Sequence, residues 1–175
     1  MVRKAQIWIE AAVYSVLVLA IIAVILSFVI PRINSAKDKV LIENSISILS
    51  NIDKLIFSVQ QATGNTRIIE IKLLKGNLII NTKEEKIIWN YEENSYIYSE
   101  PGKSVNIGNI IVNTRKASGS YPIEAILDYS KSNLNFTYNN EEKIYYLVSS
   151  PTPYKLLISN KGLEDSKTKI DFSSV

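Results

Sequence analysis

A single glutamate, Glu10, stands directly before twenty residues, 11–30, that carry no charge. A carboxylate taken into hydrocarbon costs several kcal/mol, so an acid at the border of such a run indicates a functional site with a cationic partner. Glu10 is therefore a candidate for charge pairing, and the open question is which cation it meets.

Four acidic pairs are further candidates for chemistry. Paired carboxylates can hydrolyse glycosidic bonds or bind calcium. Neighbouring residues on a strand point to opposite faces, however, and these pairs fall at predicted turns, where charge keeps a loop hydrated. The pairs that we interpret as solvated turns are Glu84-Glu85, Glu92-Glu93, Glu141-Glu142 and Glu164-Asp165. We expect neither a metal nor a cofactor.

The composition excludes many enzyme classes. The 175 residues include no cysteine and no histidine, which removes thiolate catalysis, disulfides and the commonest general base and metal ligand. No Gly-rich phosphate loop is present, and we predict that the protein is not an enzyme. The net charge is +3 and the basic residues form no block, so we expect no nucleic-acid partner.

Tyrosines and one sequon complete the candidate residues. Tyrosines can stack on sugars, but on half-buried sheets they more often pack across strands or between subunits. The tyrosines in question include Tyr96, Tyr98, Tyr121, Tyr145 and Tyr146. Asn135-Phe136-Thr137 is the only N-x-[ST] sequon, and it makes Asn135 a candidate for N-glycosylation on an exported face.

Two helical segments precede the rest of the chain. Residues 11–30 are long enough to cross a bilayer and exceed the roughly 7–15 apolar residues of a removable secretory signal. Pro31 predicts a kink or break. Helical periodicity then resumes and ends near Gly64-Asn65. This second segment is either an amphipathic helix lying on a sheet, or a helix whose extra apolar residues Ile42, Ile46 and Leu49 leave a second face for neighbouring chains.

Short apolar or alternating runs separated by turn residues fill the remainder and predict strands. The predicted strands are 67–74, 77–82, 86–91, 95–99, 104–114, 123–130, 134–139, 143–149, 154–159 and 168–172. Connections this short indicate antiparallel pairing. The predicted fold class is α+β, in which a long N-terminal hydrophobic helix, transmembrane and then amphipathic, carries an antiparallel all-β head domain.

The segment RKAQIWIE, residues 3–10, followed by the apolar run, resembles the N-terminus of archaeal type IV pilin-like proteins, which carry a class III signal peptide. In that family a membrane peptidase removes a short basic leader that ends in a small residue. The resemblance implies a leader of residues 1–5, recognition at Lys4 and Ala5, and a mature N-terminus at Gln6. Glu10 then takes the fifth mature position, and its implied partner is the new amino terminus of an adjacent copy.

The resemblance also implies an organisation and a location. Residues 6–30 would form the transmembrane and filament-core helix, residues 31–64 its amphipathic continuation, and residues 65–175 the head. The subunit would cross the membrane once, with its N-terminus inside and its head outside, and then enter an extracellular filament used for surface adhesion. The implied partners are other copies of the chain, a prepilin peptidase, an assembly ATPase with its platform protein, and membrane lipid before assembly.

Three alternatives stay open on the sequence. The chain could be a minor or initiating pseudopilin of a secretion machine. It could be a monomeric membrane-anchored β-domain that binds glycans or surface proteins through its tyrosines. A membrane-anchored hydrolase that uses an acidic pair is the third alternative.

Overall fold

The computed structural model describes residues 2–174, with side chains from Ile7 onward. Its elements are α1 (Val2–Val59), β1 (Thr66–Ile71), β2 (Asn77–Asn81), β3 (Lys86–Tyr91), β4 (Ser104–Ile107), β5 (Ile110–Thr114), β6 (Ile123–Asp128), β7 (Leu134–Tyr138), β8 (Ile144–Val148), β9 (Tyr154–Glu164) and β10 (Lys167–Ser174). Between Lys37 and Asp38 the chain divides into two compact units.

The N-terminal unit is helical throughout its described part. From Ile7 it is long and apolar enough to span a membrane, and none of its most apolar stretch is buried within the chain. The helix continues through Pro31 without a break, and a kink at this proline stays a prediction. The missing amide donor of a proline leaves one helical hydrogen bond unmade, which a long helix can absorb.

The second unit begins with the last part of α1, and that part belongs to the core. Its inward side chains are buried together with those of the strands, and they are Leu41, Ile42, Ile46, Leu49, Ile52, Ile56 and Val59. Ile42 and Leu49 are fully buried and Ile46 is 7% exposed, so these three residues leave no second apolar face here. The interpretation as a helix lying on a sheet is confirmed for this segment.

A six-stranded sheet follows the order β4-β5-β6-β3-β2-β8, and every pair in it is antiparallel. Burial alternates along β3, β5, β6 and β8, as the period-two pattern predicted. In β3, for example, Ile87, Trp89 and Tyr91 are buried while the residues between them are half-buried. One face of this sheet therefore lines the core and the other faces outward.

A four-stranded sheet follows the order β1-β9-β10-β7, and it corrects the prediction of purely antiparallel pairing. β9 pairs antiparallel with β1 and β10, but β10 and β7 are parallel. Parallel neighbours need a long connection, and here β8 and β9 lie between the two strands in the sequence. The α+β class and the β-rich head are confirmed.

Three predicted elements differ from the structure. Residues 95–99 form an irregular loop instead of a strand. Residues 104–114 form two strands, because the chain reverses at Gly108-Asn109. The strand predicted at 154–159 continues in β9 through Lys161-Gly162 to Glu164; the reversal comes at Asp165 and Ser166, whose φ angles are 47° and 67°.

Candidate assembly site

Apolar side chains are exposed on every side of α1 in the N-terminal unit. Ile7, Trp8 and Ile9 are 63%, 78% and 65% exposed. Consecutive helical residues are 100° apart, so these exposures surround the helix instead of forming one stripe. The same holds at the far end of the run, where Phe28 is 70% and Ile30 52% exposed.

Exposure on this scale is costly in water. Each Å² of apolar surface in water costs roughly 25 cal/mol relative to its burial, and more than fifteen large apolar residues of this unit are exposed. Lipid or the helices of neighbouring molecules can cover a helix that is apolar all round. This surface is the strongest candidate functional feature of the molecule.

Glu10 lies in α1 and is exposed at the beginning of this apolar surface. Lys4, Ala5 and Gln6 fall among residues whose side chains lie outside the described part of the chain. The predicted cleavage site and the predicted pairing of Glu10 therefore stay predictions.

Asp38 anchors a loop of the head to α1. Its carboxylate accepts a hydrogen bond from the Ser95 backbone N–H at 2.7 Å and one from the Tyr91 hydroxyl at 3.4 Å. The Lys75 ammonium donates to the same hydroxyl at 2.9 Å and lies 3.9 Å from the carboxylate. Its hydrogen bond to Tyr91, with the nearby Asp38 and Glu93, raises the pKa of Lys75.

Asp53 makes a second connection between α1 and the strands. It accepts hydrogen bonds from the Tyr129 hydroxyl at 2.5 Å and from the Asn109 side-chain amide at 3.0 Å. Burial, and then the hydrogen bond to Asp53, raise the pKa of Tyr129. A half-open groove of about 360 Å³ adjoins this contact, and the exposed side chain of Phe57 lines it.

A sequence signal for both aspartates does exist. Asp38 lies three and four positions before Leu41 and Ile42, and Asp53 follows the buried Ile52. A charged residue inside or beside the apolar stripe of a helix is buried only when something satisfies it. That signal could have identified the two positions, although it could not have named their distant partners.

The acidic pairs lie at or beside turns, and at least one glutamate of each pair forms an ion pair with a lysine or an arginine. Glu84 contacts Lys86 at 2.8 Å, and Glu92 contacts Arg115 at 3.4 Å. Glu141 and Glu164 contact Lys143 and Lys169 at 3.1 and 2.9 Å. Across the described residues, no three acidic side chains come together as a metal-binding group.

The tyrosines differ in their environments. Tyr96 and Tyr98 pack edge to face against each other and against the core. The ring of Tyr145 stacks on Tyr138 with a centroid distance of 3.8 Å. Tyr146, the next residue, is 58% exposed on the outer face of β8. Of the five candidate tyrosines, Tyr146 is exposed and the other four are half-buried.

Asn135 is half-buried in β7, where it faces Lys169 of the parallel strand β10 in register. The sequon hydroxyl of Thr137 is buried and donates a hydrogen bond to Asp171 at 2.7 Å. In the folded head, the sequon is thus part of a sheet, and glycosylation of Asn135 stays a prediction.

Comparison with protein-family models, with curated proteins and with solved structures gives no match.

Proposed function

We propose that this chain is a structural subunit, a pilin, of an archaeal type IV pilus-like filament, and that it assembles through its N-terminal helix after leader cleavage. The proposal is supported most by the order of features at the N-terminus. The basic residues come first, then Lys4-Ala5-Gln6, then the acid Glu10, and then an apolar helical run that is exposed all round. A separate unit begins at Asp38 and holds the last part of α1 and all ten strands.

Cleavage before Gln6 would create a cation that can pair with the carboxylate of Glu10 in an adjacent copy. The cut creates a cationic amino terminus four residues before the carboxylate, which is about one helical turn. When two copies pack with an axial offset, the carboxylate of one copy meets the amine of the next. In an apolar environment this pair is attractive only in the correct register, so it determines the relative position of the copies more than it stabilises them.

The apolar surface of the N-terminal helix would be covered first by lipid and then by neighbouring helices. Before assembly, lipid covers it, with the N-terminus inside and the head outside. After assembly, the helices of neighbouring copies replace the lipid, with little change in polarity and with closer side-chain packing. A prepilin peptidase and an assembly ATPase with its platform protein would carry out the two steps, and the exposed heads would adhere to surfaces.

The N-terminal sequence of the membrane-extracted protein tests the processing step. The proposal predicts a mature N-terminus at Gln6, determined by Edman degradation or intact mass. A bulky substitution, Ala5→Leu, should block the cut and leave residues 1–5 attached. Wild-type protein that retains residues 1–5 would contradict the proposal.

Filament yield in a strain that carries Glu10→Ala tests the assembly step. We expect normal membrane insertion and cleavage, and at least a tenfold lower filament yield by electron microscopy and shearing. Glu100→Ala is the matched control, since Glu100 is an exposed glutamate of the head. Equal filament yields for the two variants would remove the role of Glu10, and wild-type protein that stays monomeric would favour the anchored binding module.

A further inference from the structure

β8 is an unprotected edge strand of the six-stranded sheet. It pairs with β2 in continuous register over five residues, and no strand among residues 2–174 pairs with its other side. Its sequence, IYYLV, contains no charge, proline or glycine. Soluble proteins usually protect such edges with charges, prolines or bulges, because unpaired backbone groups recruit another strand.

The outward side chains of β8 are apolar and exposed. Leu147 points into the core and is 1% exposed, whereas Ile144, Tyr146 and Val148 are 40%, 58% and 54% exposed. Alternation along the strand therefore places three apolar side chains on the outer face, next to the unpaired edge.

These side chains continue an apolar stripe that crosses the outer face of the sheet. The register aligns Tyr146 with Ile79, Ile79 with Ile88, Ile88 with Ile126, and Ile126 with Ile111. The four isoleucines are half-buried. With strands about 4.8 Å apart, the stripe is roughly 19 Å long and ends at the open edge.

We propose that β8 pairs antiparallel with β8 of a second copy, about a two-fold axis at Tyr146. In this register, Ile144 faces Val148 of the other copy and Tyr145 faces its Leu147. The two Tyr146 residues face each other. Lys143 faces Ser149, so no like charges meet, and every central cross-strand pair is apolar or aromatic.

A second copy of β8 fits this edge better than β4 or β1 does. Two-fold pairing is self-complementary, joins both open edges at once and extends the isoleucine stripe across both molecules. The other edge of the sheet, β4, has four residues and presents the polar side chains of Ser104 and Asn106. β1, an edge of the other sheet, carries Arg67 and Glu70. The pairing links two heads and goes beyond the proposed filament, since it requires neither cleavage nor Glu10.

Site-specific disulfide formation tests the contact in the full-length chain. The protein has no cysteine, so Tyr146→Cys introduces a single thiol at the predicted two-fold axis. Ile68→Cys is the matched control, because Ile68 is 60% exposed on the edge strand β1. After mild oxidation in membranes, we expect a disulfide-linked dimer from Tyr146→Cys in at least tenfold higher yield than from Ile68→Cys. Equal yields would overturn the proposal.

A mixture of Tyr146→Cys and Val105→Cys chains distinguishes two-fold from head-to-tail pairing. Val105 lies on β4. If the mixed Tyr146→Cys/Val105→Cys disulfide formed in excess over the Tyr146→Cys homodimer, β8 would pair with β4 of the next copy, and the two-fold contact would be wrong. The Tyr146→Lys variant provides a readout without oxidation. Two lysines at the axis should reduce the dimer fraction in sedimentation of the detergent-extracted protein at least tenfold, whereas Ile68→Lys should leave it unchanged. An unaffected dimer would overturn the contact.

Discussion

The carboxylate of Asp38 accepts a hydrogen bond from the backbone N–H of Ser95, 57 positions later, at 2.7 Å. Asp38 is 5% exposed and stands at the first residue of the second unit. The contact fixes the loop that follows β3 against α1, and the Tyr91 hydroxyl completes the set of donors around the carboxylate. A buried acid thus holds the beginning of the head to its own strands.

Asp38→Ala should lower the free energy of unfolding of the head by about 1–3 kcal/mol, because it leaves the Ser95 and Tyr91 donors without their acceptor. Urea unfolding, followed by the fluorescence of the buried Trp89 in a Trp8→Phe background, measures the change. Glu43→Ala is the control, since the Glu43 side chain is 54% exposed on the same helix. Equal losses in the two variants would show that the buried contact contributes nothing.

Ile42→Ala should cost about 2–5 kcal/mol of stability, because its removal leaves a cavity in a packed core. Val40, two residues earlier, is 65% exposed, and Val40→Ala should change stability by less than about 0.5 kcal/mol. Urea unfolding of both variants checks the assignment of this part of α1 to the core. If Ile42→Ala were neutral and impaired only filament assembly, the segment would serve neighbouring chains instead.

Local pattern predicted much of the fold. The alternation of buried and half-buried residues in β3 and β6 follows their sequences closely. The prediction failed at residues 95–99, where Tyr96 and Tyr98 alternate as in a strand. There, side chains from elsewhere take the backbone groups: Asp38 accepts from Ser95, and Thr114 accepts from Ser99. Contacts between residues so distant in sequence leave no local pattern.

In the candidate site, too, the features with a local pattern could be predicted and the contacts between distant residues could not. Glu10 could be identified from the chain alone, because its significance comes from the apolar residues next to it. The partners of Asp38 and Asp53 could not, because Ser95 and Tyr129 reach them only through the order of strands in the sheet. The parallel pairing of β7 with β10 likewise depends on the topology of the whole head.

Tyr129→Phe should change how stability depends on pH. The pKa of Tyr129 is raised in the folded chain, so the folded state keeps this proton while the unfolded chain loses it above pH about 10. The stabilising contribution is therefore complete below pH 10 and is lost as the pH rises further. At pH 7 the variant should lose about 1 kcal/mol with the hydrogen bond to Asp53.

Above pH 10 the stability of Tyr129→Phe should fall less steeply than that of the wild type, by up to about 1.4 kcal/mol per pH unit. Urea unfolding at pH 7, 9, 10 and 11 measures both effects. Ile87→Val serves as the control, because Ile87 is fully buried and carries no titratable proton, so its loss of stability should be the same at every pH. Parallel profiles for wild type and Tyr129→Phe would contradict the raised pKa.

Gly76→Ala should be among the most destabilising single changes outside the core side chains. Gly76 has a φ of +76°, and a Cβ there would clash with the Asn90 carbonyl oxygen and lie 2.9 Å from Trp89 Nε1. Trp89 Nε1 also donates to the Lys75 carbonyl oxygen at 3.2 Å, so the clash would displace a buried ring and its hydrogen bond.

Gly119→Ala separates this steric effect from backbone strain. Gly119 has a similar φ of +81°, but nothing lies within 4 Å of its added Cβ. Its substitution should cost only the strain of the left-handed conformation, about 1–2 kcal/mol. Gly76→Ala should lose at least a further 1 kcal/mol or so, and should shift the emission of Trp89, because overpacking forces neighbouring atoms apart. If urea unfolding showed equal losses of stability for Gly76→Ala and Gly119→Ala, the atoms around Gly76 would accommodate the added Cβ without a further loss of stability.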